Sequence, residues 1–396
     1  MDITIHPGRL GGELTAIPSK SQAHRLLICA AFADCRTELI CPQTNRDIQA
    51  TVDCLQSLGA DIVSTGFGYC VDPIGKIPAQ ATLNCCESGS TLRFMLPIVG
   101  ALGVDATFQL EGRLPYRPLS PLWEEMERMG CQLSRPTDNT VRCTGKLAPG
   151  EYLIDGGVSS QFITGLLFAL SLLEGKSKLT ITGKLESKPY VDMTKQALAL
   201  FGIDPAQLGG QSFRSPGTYK VEGDWSNGAF FLTAAAVGNP VNVHGLSEDS
   251  AQGDRAVADI LLTMKDGFVS VDASDIPDLV PILSVAAAAF HGAAFTNIRR
   301  LRLKESDRVA SVIRLLTALG GKAEATHDTL TVHPASWQGG TVDSAGDHRI
   351  AMSAAIAATL CPDSVTILGA EAVNKSYPHF WEEYRRLGGN YEQYLR

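Results

Sequence analysis

The stretch LRLKESDRVASVIRLLTALG, residues 301–320, joins a charged start to a helical tail. Apolar residues from Val309 to Leu319 recur at the three- and four-residue spacing of an amphipathic helix. We expect Ser306 to cap this helix and Gly320 to end it, because serine is typical of N-caps and glycine of the position after a helix.

The charges of this stretch allow two interpretations. Lys304 and Arg308 lie beside Glu305 near the start of the predicted helix, where free N–H groups and the helix dipole attract an anion. A lysine, a carboxylate and an arginine in that place fit a site for an acidic ligand. Alternating charges usually indicate a solvated helix surface with weak ion pairs. The rest of the chain has to decide between the two.

Length and composition favour a compact protein of two domains. The chain has 396 residues, of which 44% are hydrophobic and 19% charged, with a net charge of −8. The acidic balance argues against nucleic acid as the main partner, because no basic stripe is visible. The longest apolar run, residues 276–290, is shorter than a membrane span and is interrupted by proline and acid, so we expect no membrane segment.

The start of the chain and its cysteines favour a cytoplasmic protein. The residues after Met1 lack the basic and apolar segments of a secretory signal. Ten cysteines show neither paired CxxC spacing nor a nearby histidine cluster, so we expect buried reduced thiols and no metal site. We also expect a monomer.

A polar turn followed by an apolar helix rich in alanine and leucine occurs six times. The six turns begin near residues 19, 87, 157, 223, 274 and 346. An amphipathic helix follows each one, beginning near residues 47, 120, 191, 253, 306 and 379. Strand-like segments such as residues 178–182 and 365–368 lie between the helices. The repeat, at roughly 50 to 70 residues, is longer than most solenoid repeats.

This repeat predicts an α/β protein of two similar domains with three units each. The first helix of each unit is apolar almost all round, so we expect these helices to be buried inside their domain with the sheets outside. An ordinary doubly wound sheet is the alternative. The internal boundary falls near Gly223. If the buried helices run parallel, their N-termini gather on one face of each domain, which would put the active site in the interdomain cleft.

Cations and small polar residues lie at or near the polar turns. The cations are Lys20, Arg25, Arg93, Arg117, Lys304, Arg308, Arg349 and Lys375, and the neutral residues are Ser21, Ser159, Ser160, Gln161, Ser187 and Tyr190. So many cations indicate more than one anionic group in the ligand. Each residue also has a structural explanation: serines are typical caps, an acid such as Asp278 is favoured in a first helical turn, and a lone histidine such as His348 is usually structural.

A set of short motifs appears in order over nearly the whole chain. The motifs are SKS at 19–21, SGSTLR at 88–93, RPL at 117–119, SSQF at 159–162, SKPY at 187–190, IPDLVP at 276–281, LRLKESDR at 301–308, GDHRIAM at 346–352 and NKSYPHFW at 374–381. In this combination the chain resembles the 5-enolpyruvylshikimate-3-phosphate synthase family of enolpyruvyl transferases. The resemblance implies two domains of three βαβαββ units each, forming an inside-out α/β barrel fold. Residues 19–223 would form the first domain, mainly for shikimate 3-phosphate, and residues 1–18 with 224–396 the second, which would hold the catalytic acids and much of the phosphoenolpyruvate site.

The resemblance also implies a role for each candidate residue. Shikimate 3-phosphate would contact Lys20, Ser21, Arg25, Ser159, Ser160, Gln161, Ser187, Tyr190, Asp278 and Lys304. Phosphoenolpyruvate would contact Lys20, Gly89, Arg117, Gln161, Arg308, Arg349 and Lys375, with Arg93 and His348 nearby. The reaction takes a proton from the 5-hydroxyl and delivers one to C3 of phosphoenolpyruvate, so it needs a base and an acid. Asp278 is the expected base and Glu305 the expected acid, with Lys20, Lys304 or Lys375 assisting and no metal or organic cofactor.

Two positions depart from the family pattern. Glu87 stands where many relatives have asparagine, and Arg300 where some have an asparagine that contacts the substrate. Gly89 is retained, and in this family the corresponding glycine lines the pocket for glyphosate, which we expect to compete with phosphoenolpyruvate.

Two alternatives stay beside this interpretation. The sister transferase that acts on UDP-N-acetylglucosamine uses a cysteine on a mobile loop, but the loop EGRLPYRPL, residues 111–119, contains none. The second alternative is a binding protein that has kept the fold but lost turnover. The presence of Lys20, Asp278, Glu305 and Lys375 together argues against it, because a protein that only binds needs no such set of acids and bases.

Overall fold

The computed structural model describes residues 1–394, which divide into two compact units. Pro18–Glu222 form one unit, which we call the contiguous unit. Met1–Ile17 and residues 223–394 form the other, which we call the split unit. Each unit contains both helices and sheets and has its own apolar core. No helix among the described residues has the length and apolar composition needed to cross a membrane.

The described residues form twelve α-helices and twenty strands. The helices are α1 Lys20–Ala31, α2 Arg46–Ser57, α3 Gly89–Leu102, α4 Leu122–Arg128, α5 Ser160–Ser171, α6 Lys188–Leu200, α7 Trp225–Ala236, α8 Val257–Asp266, α9 Val280–Ala289, α10 Arg308–Ala318, α11 His348–Ala358 and α12 Phe380–Arg386. The strands are β1 Asp2–Ile5, β2 Gly12–Thr15, β3 Thr37–Ile40, β4 Asp61–Thr65, β5 Gly68–Asp72, β6 Gln80–Asn84, β7 Asp105–Gln109, β8 Cys131–Ser134, β9 Thr140–Gly145, β10 Glu151–Asp155, β11 Lys178–Thr182, β12 Thr218–Lys220, β13 Val241–His244, β14 Val269–Asp272, β15 Ala293–Thr296, β16 Lys322–Ala325, β17 Thr329–His333, β18 Gly340–Asp343, β19 Val365–Leu368 and β20 Tyr391–Tyr394. Short 3-10 helices span Leu114–Tyr116, Gly253–Ala256, Arg299–Leu303 and Ala370–Lys375.

Each unit contains two four-stranded sheets and one two-stranded sheet. The strand orders are β12-β3-β5-β4, β6-β7-β9-β8 and β10-β11 in the contiguous unit, and β18-β19-β1-β20, β14-β15-β17-β16 and β13-β2 in the split unit. Every four-stranded sheet has one parallel pair followed by two antiparallel pairs. In four sheets a helix joins the two parallel strands directly, which is the crossover that a parallel pair requires. These crossover helices are α3, α5, α9 and α11.

The first helix of each repeat is buried over most of its length, as its apolar sequence predicts. All eleven residues of α11 are buried, as are twelve of the fourteen residues of α3. The strands also bury apolar side chains on one face. Leu83 of β6 pairs in register with Phe108 of β7, and both side chains are completely buried. The polar starts of these helices are thereby fixed by the packing of their apolar bodies.

Two helix starts differ from the sequence-based expectation. Asp307, not Ser306, caps α10 by accepting a hydrogen bond from the backbone N–H of Ala310. The prediction that Asp278 lies in a first helical turn was also wrong. Asp278 lies in the turn before α9, because the helix begins at Val280 with a proline in its first turn, where proline is readily accommodated.

Candidate active site

Arg308 is the centre of a buried charge cluster in the split unit. It is the first residue of α10, and its side chain is only 1% exposed. The Nη1 atom lies 2.6 Å from Oδ1 of Asp278, Nη2 lies 2.7 Å from Oε2 of Glu305, and Nε lies 2.8 Å from Oδ2 of Asp347. One guanidinium therefore orients three carboxylates.

Asp278 is in turn shared by three cations. Besides Arg308, Nη2 of Arg349 lies 3.2 Å from Oδ2 and Nζ of Lys304 lies 3.6 Å from Oδ1. Burial disfavours the charged carboxylate, but Arg349, Lys304 and Arg308 together hold the pKa of Asp278 well below its usual range. Asp278 is therefore ionised throughout the neutral range. Burial also disfavours the charged form of Lys304. It lowers the pKa of this lysine more than the negative charge of Asp278 raises it.

Asp347 ties the start of α10 to the start of α11. Its side chain caps α11 by accepting from the backbone N–H of Arg349 and also accepts from Oγ of Ser306 at 3.0 Å. The carboxylate is fully buried, yet Arg308 and then His348 keep its pKa below the usual value. Lys375 donates to the backbone oxygen of Gly346, 3.1 Å away, and so reaches the same helix start.

In the contiguous unit, Arg25 joins α1 to α6. The side chain is 2% exposed, and burial lowers the pKa of Arg25 to about 10. Its Nη1 donates to the backbone oxygen of Ser21 at 2.6 Å, Nη2 to the backbone oxygen of Tyr190 at 2.9 Å, and Nε to Oγ1 of Thr194 at 2.8 Å. Three of the predicted shikimate 3-phosphate residues are therefore in one place. Ser187, also predicted, lies just before α6 in a left-handed conformation with φ of 55°.

Gln161 and Arg93 join the starts of α5 and α3. Oε1 of Gln161 accepts from Nη1 of Arg93 at 2.7 Å, and Nε2 donates to Oγ of Ser90 at 2.9 Å. Ser159 caps α5 by accepting from the backbone N–H of Gln161, and Ser160 is the first residue of that helix. The side chain of Gln161 is thus fixed from both ends.

Gly89 lies against Arg117. A Cβ atom added at Gly89 would lie 2.5 Å from Nη1 of Arg117 and 3.1 Å from Nη1 of Arg93. Glycine at this position therefore permits the guanidinium of Arg117 to approach the first turn of α3. The two residues were predicted as phosphoenolpyruvate contacts, and they are in contact with each other.

Several partners of the predicted residues were not found from the sequence. Nζ of Lys20 lies 2.7 Å from Oδ2 of Asp47, which lies in the first turn of α2. The ion pair of Arg308 with Asp347 was not predicted either. Both acids lie at helix starts, Asp47 in the first turn of α2 and Asp347 as the cap of α11, but acids are also common at helix starts without a site.

The family model described as EPSP synthase (3-phosphoshikimate 1-carboxyvinyltransferase) matches residues 5–270 and 263–384. The chain belongs to the EPSP synthase family. Relatives named 3-phosphoshikimate 1-carboxyvinyltransferase include one from Clostridium kluyveri, 38% identical over 99% of this chain and 98% of the relative. Another, from Clostridioides difficile, is 36% identical over 99% of this chain and 98% of its own length.

Solved structures show the same fold. EPSP synthase from Acinetobacter baumannii aligns with a TM-score of 0.80 at 24% identity, covering 99% of this chain and 100% of that one. The enolpyruvyl transferase NikO from Streptomyces tendae aligns with a TM-score of 0.75 at 19% identity, covering 99% and 98%. The resemblance of the sequence motifs to the EPSP synthase family is confirmed.

Proposed function

We propose that the chain transfers the enolpyruvyl group of phosphoenolpyruvate to the 5-hydroxyl of shikimate 3-phosphate, releasing phosphate, in the biosynthesis of chorismate and aromatic amino acids. The observation that carries the proposal is full-length similarity, at 38% identity, to a protein named 3-phosphoshikimate 1-carboxyvinyltransferase. The charge cluster around Asp278 supports it, because two phosphorylated acids need cations and the reaction needs a proton acceptor and a donor.

Shikimate 3-phosphate binding is assigned mainly to the contiguous unit. The proposed contacts are Ser21, Arg25, Ser159, Ser160, Gln161, Ser187 and Tyr190, together with Lys20, Asp278 and Lys304. The hydrogen bonds of Arg25 to the backbones of Ser21 and Tyr190 support this assignment. Because Arg25 is already bonded to the protein, we assign it the positioning of these two residues as well as a charge for the phosphate.

Phosphoenolpyruvate binding is assigned to residues of both units. The proposed contacts are Lys20, Gly89, Arg117, Gln161, Arg308, Arg349 and Lys375, with Arg93 and His348 nearby. Arg308 is almost fully buried and donates to three carboxylates, which supports a role in orienting them. The other cations of the set then supply most of the charge that the anion contacts, beside Arg308.

Asp278 and Glu305 are the proposed base and acid. Asp278 takes the proton of the 5-hydroxyl as its oxygen attacks C2 of phosphoenolpyruvate, and Glu305 delivers a proton to C3. The tetrahedral intermediate then loses phosphate from C2 and a proton from C3. An anion bound by Arg349 competes with Asp278 for that guanidinium and so raises the pKa of the carboxyl, which makes Asp278 a better proton acceptor once substrate is present. Lys20 and Lys375 stabilise the departing phosphate.

We further propose that the contiguous unit and the split unit each consist of three βαβαββ repeats. These repeats would form an inside-out α/β barrel, with the helices buried and the sheets outside. The burial of α3 and α11 and the matching sets of three sheets support this. The proposed place of action is the cytoplasm, because both substrates are charged phosphate esters that do not cross membranes unaided. A monomer remains a prediction.

The test is phosphate release measured with both substrates present and with each omitted. We expect release only when both are present, and none when UDP-N-acetylglucosamine replaces shikimate 3-phosphate. No release above background with both substrates would refute the transferase. Release with the nucleotide sugar would point to the sister activity.

A further inference from the structure

Asp254 is a buried carboxylate that none of the assignments above uses. It lies in the 3-10 helix Gly253–Ala256, directly before α8, and is 3% exposed. A charge removed from water is costly unless hydrogen bonds and opposite charges compensate it. The groups around Asp254 therefore indicate what the carboxylate does.

Ser226 connects Asp254 to Arg349. The Ser226 hydroxyl, near the start of α7, donates to Oδ2 of Asp254. The same hydroxyl oxygen accepts from Nη2 of Arg349 at 3.0 Å, and the backbone oxygen of Ser226 lies 3.4 Å from Nη1. Because arginine can only donate, the single hydroxyl proton of Ser226 is directed at Asp254.

Arg349 carries the connection on to Asp278. Its Nη2 lies 3.2 Å from Oδ2 of Asp278. Asp254, Ser226, Arg349 and Asp278 thus form an unbroken series of contacts that ends at the proposed base. A planar guanidinium binds a phosphate or carboxylate through two parallel hydrogen bonds only when its plane is held in the right orientation.

The charged groups that face Asp254 include Asp278, Arg349 and Asp224, the cap of α7. Burial first, and the negative charge of Asp278 second, raise the pKa of Asp254 to about 6, while Arg349 acts in the opposite direction. Above that pH the carboxylate is charged and attracts Arg349. Below it, a neutral carboxyl remains and this attraction is lost.

We propose that Asp254 is a positioning residue that fixes the guanidinium of Arg349 through Ser226 and thereby sets the affinity for phosphoenolpyruvate. The inference rests on the proposed function, which assigns phosphoenolpyruvate to Arg349. Asp254 does not touch the substrate. Its effect is on the orientation of the residue that does.

Two substitutions separate the charge from the hydroxyl. Asp254→Asn keeps the shape and can still accept from Ser226 but carries no charge, whereas Ser226→Ala removes the connecting hydroxyl. At about pH 7.5 we expect each to raise the KM for phosphoenolpyruvate about tenfold, the size expected from losing a hydrogen bond to a charged group, with the KM for shikimate 3-phosphate unchanged. The double variant should be little worse than either single one, because both act on one connection. Ser226→Thr should restore the wild-type value.

The pH dependence gives an independent readout. The ratio of the phosphoenolpyruvate KM of Asp254→Asn to that of the wild type should fall toward one as the pH drops below about 6, because the wild-type carboxyl is then neutral too. Titration of the substrate itself cancels in this ratio. Asp259→Asn, the same change at an exposed residue of α8, is the matched control and should leave both KM values unchanged.

Each outcome decides the inference. An active wild type with unchanged KM in both Asp254→Asn and Ser226→Ala overturns it and leaves the proposed function intact. An equal rise in the KM for both substrates, with a ratio that does not depend on pH, also overturns it, because a general structural defect would then explain the loss. A wild type without phosphate release refutes the proposed function and this inference with it.

Discussion

Replacing Arg308 by methionine should destabilise the split unit far more than an exposed arginine substitution. Methionine nearly fills the space but leaves Asp278, Glu305 and Asp347 without the guanidinium that they share at 2.6, 2.7 and 2.8 Å. Removing one partner of a buried ion pair costs about 3 to 5 kcal/mol, whereas an exposed substitution changes stability by about 0.5 kcal/mol or less. We therefore expect a loss of about 3 to 5 kcal/mol in the free energy of unfolding at neutral pH.

The loss should depend on pH with a definite sign. In the wild type the cations hold the pKa values of Asp278 and Asp347 below their unfolded value. A lowered folded-state pKa contributes stability that is complete above the unfolded pKa, near 4, and disappears as the pH falls through the folded value. Methionine at position 308 removes the Arg308 part of this contribution. The difference between variant and wild type should thus be largest at neutral pH and shrink in acid below about pH 4.

Urea unfolding followed by tryptophan fluorescence measures this difference. Three of the four tryptophans, Trp225, Trp337 and Trp381, belong to the split unit, so the signal reports mainly on the unit that carries Arg308. Arg314→Met is the matched control, because Arg314 is exposed on the same helix. Equal destabilisation by the two substitutions would refute the reasoning. So would a loss of unfolding free energy in Arg308→Met that stays the same from neutral pH to below about pH 4.

Two kinetic predictions concern the proposed substrate contacts. Gly89→Ala should displace the Arg117 guanidinium, which lies 2.5 Å from the position of the new methyl group, and raise the KM for phosphoenolpyruvate at least about tenfold with little change for shikimate 3-phosphate. Gly66→Ala, where nothing lies within 4 Å of the added atom, is its control, and equal KM values in both variants would contradict the role of Gly89. Asp278→Asn keeps the shape but cannot take a proton, so kcat should fall at least about a hundredfold while both KM values change far less. A kcat within twofold of the wild type would remove Asp278 from the role of base.

The positions of the helices could be predicted because their evidence is local. The apolar spacing after Arg308 predicted α10, and the almost uniformly apolar sequence of α11 predicted its burial. The exact N-cap could not be predicted in the same way. Ser306 and Asp307 are adjacent and both can cap, and the choice is made by a residue far along the chain. Ser306 donates to Asp347, 41 residues away, which leaves Asp307 as the cap.

The candidate site was predictable in its cations but not in their partners. Lys304, Glu305 and Arg308 are close in sequence, and their motif indicated a site before any fold was known. The contact of Lys20 with Asp47 spans 27 residues and that of Arg308 with Asp347 spans 39, so only the folded chain decides them. The same holds for Asp254, whose neighbours become visible only when α7, α9 and α11 pack together.

The order of strands in the split unit sets an order of events during synthesis. β1, at the very start of the chain, pairs with β19 and β20, and β2 pairs with β13. When the ribosome has released the first 17 residues, the strands that they need do not yet exist. The contiguous unit, by contrast, is complete once Glu222 has emerged. Since domains fold as units while the chain is made, the contiguous unit folds first, whereas β2 must wait for β13 and β1 must wait for β19 before either can enter its sheet. A truncation before β19 therefore removes both sheet partners of β1, and one before β20 removes one of them.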